Sequence, residues 1–177
     1  MNKIYIPLAR DSITKKEQSV FSLARQSILS QTIPMEIVPC ITDGDIDSQG
    51  KFTPERIIGE VNSRNLGIDK FLETEDKYFL MQCRDVKQLY PDNFEKMIAY
   101  MDNNLDCGAC YLKCLQTTKQ HFDIGTVCIR REVLEGENGV RFRNKYGKCL
   151  CVELQQDIVG NGYKIDYISD DILITKL

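Results

Sequence analysis

Short apolar runs alternate with amphipathic stretches along the 177 residues of the chain. Ile4-Tyr-Ile-Pro-Leu8 is the first run, and its length and bulky content predict a strand. From Lys15 to Ser30 apolar residues recur at helical spacing, placing Val20, Phe21, Ala24, Ile28 and Leu29 on one face. Met35 to Ile41 predicts a second strand, closing in the turn residues Thr42-Asp43-Gly44. Pro39 lacks a ladder donor, so that strand belongs at a sheet edge or carries a bulge. Thr53-Pro54-Glu55 supplies a capping hydroxyl, a first-turn proline and an acid at the positive end, predicting a helix to Leu72 with Gly67 weakening its middle.

The alternation continues. Lys77 to Met81 predicts a strand, and Pro91-Asp92-Asn93-Phe94 opens a helix through Met101. Strands follow over Gly108 to Leu115 and Thr126 to Arg130, then a helix over Cys151 to Asn161 and a strand over Tyr163 to Ile168. Strands separated by helices imply right-handed βαβ units, hence an α/β fold with a mostly parallel central sheet flanked by helices. No repeat, low-complexity stretch or linker interrupts the pattern, so residues 1–177 read as a single domain.

Charge changes this picture only by exclusion. Lys+Arg total 23 against 26 Asp+Glu, a net charge of −3, and the basic residues are dispersed. Nucleic acid and anionic lipid therefore have no general electrostatic claim on the surface. No apolar run approaches the ~20 residues of a membrane span. Met1 to Pro7 has no signal-peptide core, which leads to the expectation of a cytoplasmic protein, or a virion component if the source is viral.

Eight cysteines and one histidine complete the chemistry-bearing inventory. In a reducing compartment the thiols serve first as small buried hydrophobes, with a metal site or redox chemistry as alternatives. Cys107 and Cys110 are three apart, so a regular strand sends them to opposite faces, which argues against shared zinc. His121 has no partner at catalytic spacing and reads as structural. The acidic stretch Asp43 to Gly50 is not a calcium loop. Counting from Asp45 puts Arg56 at the twelfth position, and counting from Asp43 puts Pro54 there, where a bidentate Glu is needed. No glycine-rich phosphate loop or nucleophile elbow is present.

The order of the pieces resembles a glycosyltransferase of the GT-A fold, family 2 type, from Ile4 to Tyr167. The similarity is carried by Ala9-Arg10-Asp11, the helix end Gln26 to Thr32, Thr42-Asp43-Gly44 and Ser63-Arg64-Asn65-Leu66-Gly67-Ile68. It continues through Tyr78 to Met81, Pro91 to Lys96, Ile124-Gly125, Ile129 to Leu134 with Phe142, and Gly162-Tyr163-Lys164-Ile165. The resemblance implies a nucleotide-sugar site touching Asp43, Arg64 and Arg84. It also implies a DxD-type carboxylate set holding Mn2+ or Mg2+ against the diphosphate, because a hard cation offsets charge on the leaving group.

Those chemical positions depart from the family pattern. Gln82-Cys83-Arg84-Asp85 stands where the carboxylates belong, so Gln82 and Arg84 replace the two acids and Asp85 alone remains. The position implied for the catalytic base falls on Leu150-Cys151, with Glu153 two residues on as a substitute and Asp157 more remote. The chain ends at Leu177, about where such enzymes continue into an acceptor-binding part. Three readings follow. The first is a glycosyltransferase-like domain that has lost catalysis, needs no metal, and binds other protein chains or serves as a structural component of a larger assembly. Ile172, Leu173, Ile174 and Leu177 are its candidate anchors. The second is an active, atypical or metal-independent hexosyltransferase using Asp85 and Glu153 with Asp43 and Arg84. The third is an unrelated α/β domain.

Overall fold

The computed structural model describes residues 1–9, 15–42, 54–115, 125–144, 149–168 and 173–176. The first half builds β1 (Asn2–Ala9), α1 (Lys15–Leu29), β2 (Met35–Thr42), α2 (Pro54–Leu72), β3 (Tyr78–Gln82), β4 (Val86–Gln88) and α3 (Asn93–Asn103). The second half adds β5 (Cys107–Tyr111), β6 (Lys113–Cys114), β7 (Thr126–Arg130), α4 (Arg131–Leu134), α5 (Leu150–Gly160), β8 (Lys164–Tyr167) and β9 (Leu173–Lys176). Asp43 to Gly50 and His121 lie outside the described residues.

Six strands form the main sheet in the order β2-β1-β3-β7-β5-β8. β1 pairs in parallel with β2 and β3, and β5 with β8, while β7 runs antiparallel to both its neighbours. The expected mostly parallel α/β sheet is therefore present. β2 is the outer strand, as Pro39 requires, with Pro39 opposite Ile6. β3 is central and buried along its whole length.

Alternation along the strands divides the core in two. Tyr5, Phe79, Met81, Val127 and Ile129 face a cluster with Ile68 and Phe71 of α2, Val133 and Leu134 of α4, and Leu150, Leu154 and Ile158 of α5. Ile4, Ile6, Leu80 and Cys128 face the other side, with Ile28 of α1 and Phe94, Met97 and Met101 of α3. Gly67 does more than weaken α2. A Cβ there would lie 3.2 Å from Cys40 Sγ and 3.4 Å from Tyr5 Cβ, so the missing side chain lets the helix sit close on the sheet. No helix among the described residues is long and apolar enough to cross a membrane.

Four expectations need correction. Leu29 is exposed, and Ser27 takes the inward position beside Ala24 and Ile28, because its hydroxyl accepts from the Gln88 N–H of β4. The strand expected over Gly108 to Leu115 breaks at Leu112, since β6 leaves for a second, three-stranded sheet of order β4-β9-β6. Cys107 and Cys110 do not face opposite ways. The register slips between Cys107 and Ala109 at a bulge, so both thiols join the same cluster. Gly108 is the extra residue, and a Cβ there would come within 2.5 Å of the Tyr163 Cβ. Finally, Ile174 is no external anchor: β9 pairs it between β4 and β6, and it is fully buried. Ile172 and Leu177 lie outside the described residues.

The cysteines behave mainly as core residues. Cys40, Cys107, Cys110, Cys114, Cys128 and Cys151 are buried, Cys83 is half-buried and Cys149 is exposed. Burial pushes the Cys40 thiol up to about 11 and the Cys107 thiol to about 12.

Candidate functional site

Ligand crevices in open α/β sheets form at the C-terminal ends of the strands. Here that end of β3 runs straight into a tight turn. The Cys83 N–H donates to the Gly125 carbonyl at 2.9 Å, and the Val86 N–H closes the turn on the Cys83 carbonyl at 3.2 Å. Arg84 and Asp85 occupy its middle, both half-buried. β4 then carries the chain away into the smaller sheet.

Gln82 is the last residue of β3, with no exposed surface. Its amide nitrogen donates to the Val86 carbonyl at 2.7 Å, bracing the turn from inside. Its amide oxygen accepts from Gln88 Nε2 at 2.6 Å. Gln88 Nε2 also reaches Thr126 Oγ1 at 3.0 Å, and Gln88 Oε1 accepts from Asn93 Nδ2 at 2.6 Å. The Gln88 N–H donates to Ser27 Oγ at 3.0 Å, tying in α1. Five elements are fastened through this neutral network, and both ends of the Gln82 amide are used in it.

One residue further on, the chemistry changes. Arg64 projects from α2 and is 7% exposed. Its Nη1 donates to the Glu60 carbonyl at 3.0 Å and to Glu60 Oε2 at 3.2 Å, while Nη2 approaches Cys83 Sγ at 3.8 Å. The guanidinium also lies 5.8 Å from the centre of the Phe142 ring. Its Nε is buried with no hydrogen-bond partner. Burial opposes the Arg64 charge, but Cys83 and Glu60 outweigh it and hold the group above its ordinary range. For Cys83 burial is the largest influence and raises the thiol; Asp85 and Glu60 add to this, while Arg64 pulls the other way. The neighbouring Asn65 clamps the Phe142 backbone in both directions, donating to its carbonyl at 3.0 Å and accepting from its N–H at 2.9 Å.

The start of α5 lies close to this charged cluster. Leu150 and Cys151, at the position where the base was sought, pack in the core beside Val140 and Phe142. Cys151 is also close enough to Arg64 to affect its ionisation. Glu153 lies in the first helical turn, 4% exposed, where a carboxylate is favoured by the helix dipole. Of the residues singled out in the sequence, Arg64 and Asp85 meet through Cys83, Arg84 and Asp85 share the turn, and Glu153 follows Cys151 on the facing helix. Asp43 lies outside the described residues. Sequence reasoning passed over Glu60 and gave Cys83 and Phe142 no role in the site. The i,i+4 spacing of Glu60 and Arg64 was the available signal for the first.

No protein-family model and no curated protein sequence matches the chain. Solved structures do. Staphylococcus aureus TarS superposes with a TM-score of 0.69 at 14% identity, over 99% of this chain and 36% of that one. The mannosyltransferase PcManGT from Pyrobaculum calidifontis, in complex with GDP-Man and Mn2+, gives 0.65 at 11% identity, over 98% of this chain and 56% of that one. These neighbours are glycosyltransferases of the GT-A type. The chain has a GT-A-like fold. A CMP:2-keto-3-deoxy-manno-octonic acid synthetase complexed with CTP also matches, with a TM-score of 0.61 at 11% identity, over 99% of this chain and 90% of that one. At these identities the likeness concerns the fold, and the chain spans about a third to three fifths of the transferases' length.

The turn after β3 does not fit the divalent cation that this fold implies. Mg2+ and Mn2+ take hard oxygen ligands, preferably anionic ones. The Gln82 oxygen is spent on Gln88, Arg84 brings a positive charge, and Asp85 is the one carboxylate between Gln82 and Val86. Among the described residues, no three His, Cys, Asp or Glu side chains gather in a metal-holding group.

Proposed function

We propose that residues 1–177 form one GT-A-like domain that binds a nucleotide or nucleotide sugar beside Arg64 without transferring the sugar, and that presents this fold to other protein chains in a larger assembly of the cytoplasm or a virion. The observation that carries the reading is the engagement of Gln82. Its amide is consumed inside the protein, where a transferase of this fold needs a metal-holding carboxylate facing the crevice. The base position reinforces it, because Leu150 and Cys151 are core residues. A nucleotide is the ligand class shared by the neighbours: TarS was solved with UDP and with UDP-GlcNAc, PcManGT with GDP-Man and the synthetase with CTP. Arg64, charged and with an unused buried N–H, is the group suited to a phosphate or to a uracil or ribose oxygen.

The buried Glu153 favours a second reading, an atypical transferase in which that carboxylate deprotonates an acceptor hydroxyl. Calorimetric titration of UDP, UDP-GlcNAc and GDP-Man, each with and without Mn2+, separates the two. The binding-module reading expects saturable binding of at least one ligand, unchanged by Mn2+. Mn2+-dependent binding lost in Asp85→Ala would favour the enzyme, and no binding to any of the three would end the nucleotide-site reading.

A further inference from the structure

The thiol chemistry of Cys149 and Cys151 has no part in the account above, which uses Cys151 as a core residue and for its electrostatic link to Arg64. Their sulfurs lie 3.0 Å apart. Residues two apart within a helix do not face each other, so this approach needs a cause. The cause is the cap. Cys149 precedes α5 with extended backbone angles, φ −56° and ψ 134°, while Cys151 is inside the first turn. The Val152 and Glu153 N–H groups both bond the Cys149 carbonyl, at 2.9 and 3.2 Å, fixing the cap backbone. From there the Cys149 side chain folds back over the turn onto Cys151. Closing a covalent bond of ~2.05 Å requires the sulfurs to move together by about 1 Å.

The two thiols also differ in the way that exchange chemistry uses. Cys149 is exposed and can meet a reagent, whereas Cys151 is buried with its sulfur against that of Cys149. The positive end of α5 and the nearby Arg64 guanidinium both favour negative charge at this spot. The other closely placed thiols, Cys110 and Cys128, are both buried in the core and have no such access.

We infer that Cys149 and Cys151 are a reversible dithiol–disulfide site, oxidised by low-molecular-weight disulfides. The Cys149 thiolate attacks the reagent, forming one S–S bond and expelling one thiolate, which takes up a proton. Cys151 then attacks the Cys149 sulfur, breaking the mixed disulfide and releasing the second thiol. The protein loses two electrons and two protons, and the reagent disulfide is reduced to two thiols. This inference concerns the cysteines alone and stands or falls independently of nucleotide binding.

The test exposes the whole chain to oxidised glutathione, followed by alkylation, intact-mass analysis and peptide mapping under native conditions. The expected product is lighter by about 2 Da, links Cys149 to Cys151, leaves Cys107, Cys110 and Cys128 unlinked, and reverts with dithiothreitol. Cys151→Ser should instead retain a glutathione adduct at Cys149, and Cys149→Ser should form neither product. Should either variant fail to fold, the wild-type chain answers alone through phenylarsine oxide, which bridges adjacent dithiols: one equivalent should bind and protect both cysteines from alkylation. A lasting wild-type adduct at Cys149, a link to any other cysteine, or no arsenical protection would overturn the assignment.

Discussion

Two polar clusters sit within a residue of each other at the end of β3, and they are built on opposite terms. Around Gln82 the groups are neutral and buried, and the Gln82 and Gln88 amides are matched at both ends by partners at 2.6 to 3.0 Å. Around Cys83 the cluster is charged, contains a sulfur, and leaves Arg64 Nε buried without a partner. Neutral amides matched at both ends, as in Gln82 and Gln88, specify packing, whereas a buried charge with an unused donor is costly unless something else repays it. The contrast teaches that one turn has two unlike sides: Gln82 braces the fold, and the Arg64 side is where the proposed function puts recognition.

The comparison breaks most visibly at Gln82. Gln82→Ala takes the side-chain donor from the Val86 carbonyl and leaves Gln88 Nε2 with Thr126 Oγ1 as its remaining partner in the network, so urea unfolding should show a loss of about 2–3 kcal/mol. Gln82→Asp, which restores the acid at the family position, should destabilise as well and gain no Mn2+ affinity, because it buries an unpaired carboxylate. A stable Gln82→Asp chain that binds Mn2+ would show the network to be incidental.

Arg64 should answer in the opposite sense. Arg64→Met keeps much of the side-chain volume and should change stability by no more than about 1 kcal/mol, since replacing a buried charge by an apolar group is often near neutral. Nucleotide affinity should fall about tenfold or more, the loss of one charge-assisted contact. Equal losses of stability and affinity would erase the difference between the two clusters.

A smaller effect separates both clusters from the cysteine core. Burial raises the Cys40 thiol from 9.0 to about 11 and the Cys107 thiol to about 12, so the folded chain keeps protons that the unfolded chain gives up first. Their contribution to stability is fully present below pH 9 and is lost as pH rises through 11 and 12. The urea midpoint should therefore fall above pH 9, and Cys107→Ala should flatten that limb; an identical profile in the variant would refute the assignment. The smallest expected effect is that of Asp85→Ala, which should leave nucleotide affinity the same in titrations with and without Mn2+.

The main sheet was legible because its strands and helices obey their own periodicities, and Pro39 marked the outer strand. The second sheet was not, because β4, β6 and β9 are only two to four residues long and owe their pairing to distant chain segments. The Cys107 and Cys110 faces were misjudged because a bulge at Gly108 resets the alternation, and strand spacing alone carries no signal of it. Within the site, the replacement of acids by Gln82 and Arg84 was readable from their types. That Gln82 turns inward to Gln88 was not, because it depends on Asn93 and Thr126 arriving from other elements.

The central claim is that the fold has kept a nucleotide site and given up transfer. Its most direct test incubates the chain at high concentration with UDP-GlcNAc or GDP-Man and Mn2+ and measures released UDP or GDP. The account predicts no release above a protein-free control, even where titration shows the nucleotide sugar bound. Mn2+-dependent release that disappears in both Asp85→Ala and Glu153→Gln would contradict it.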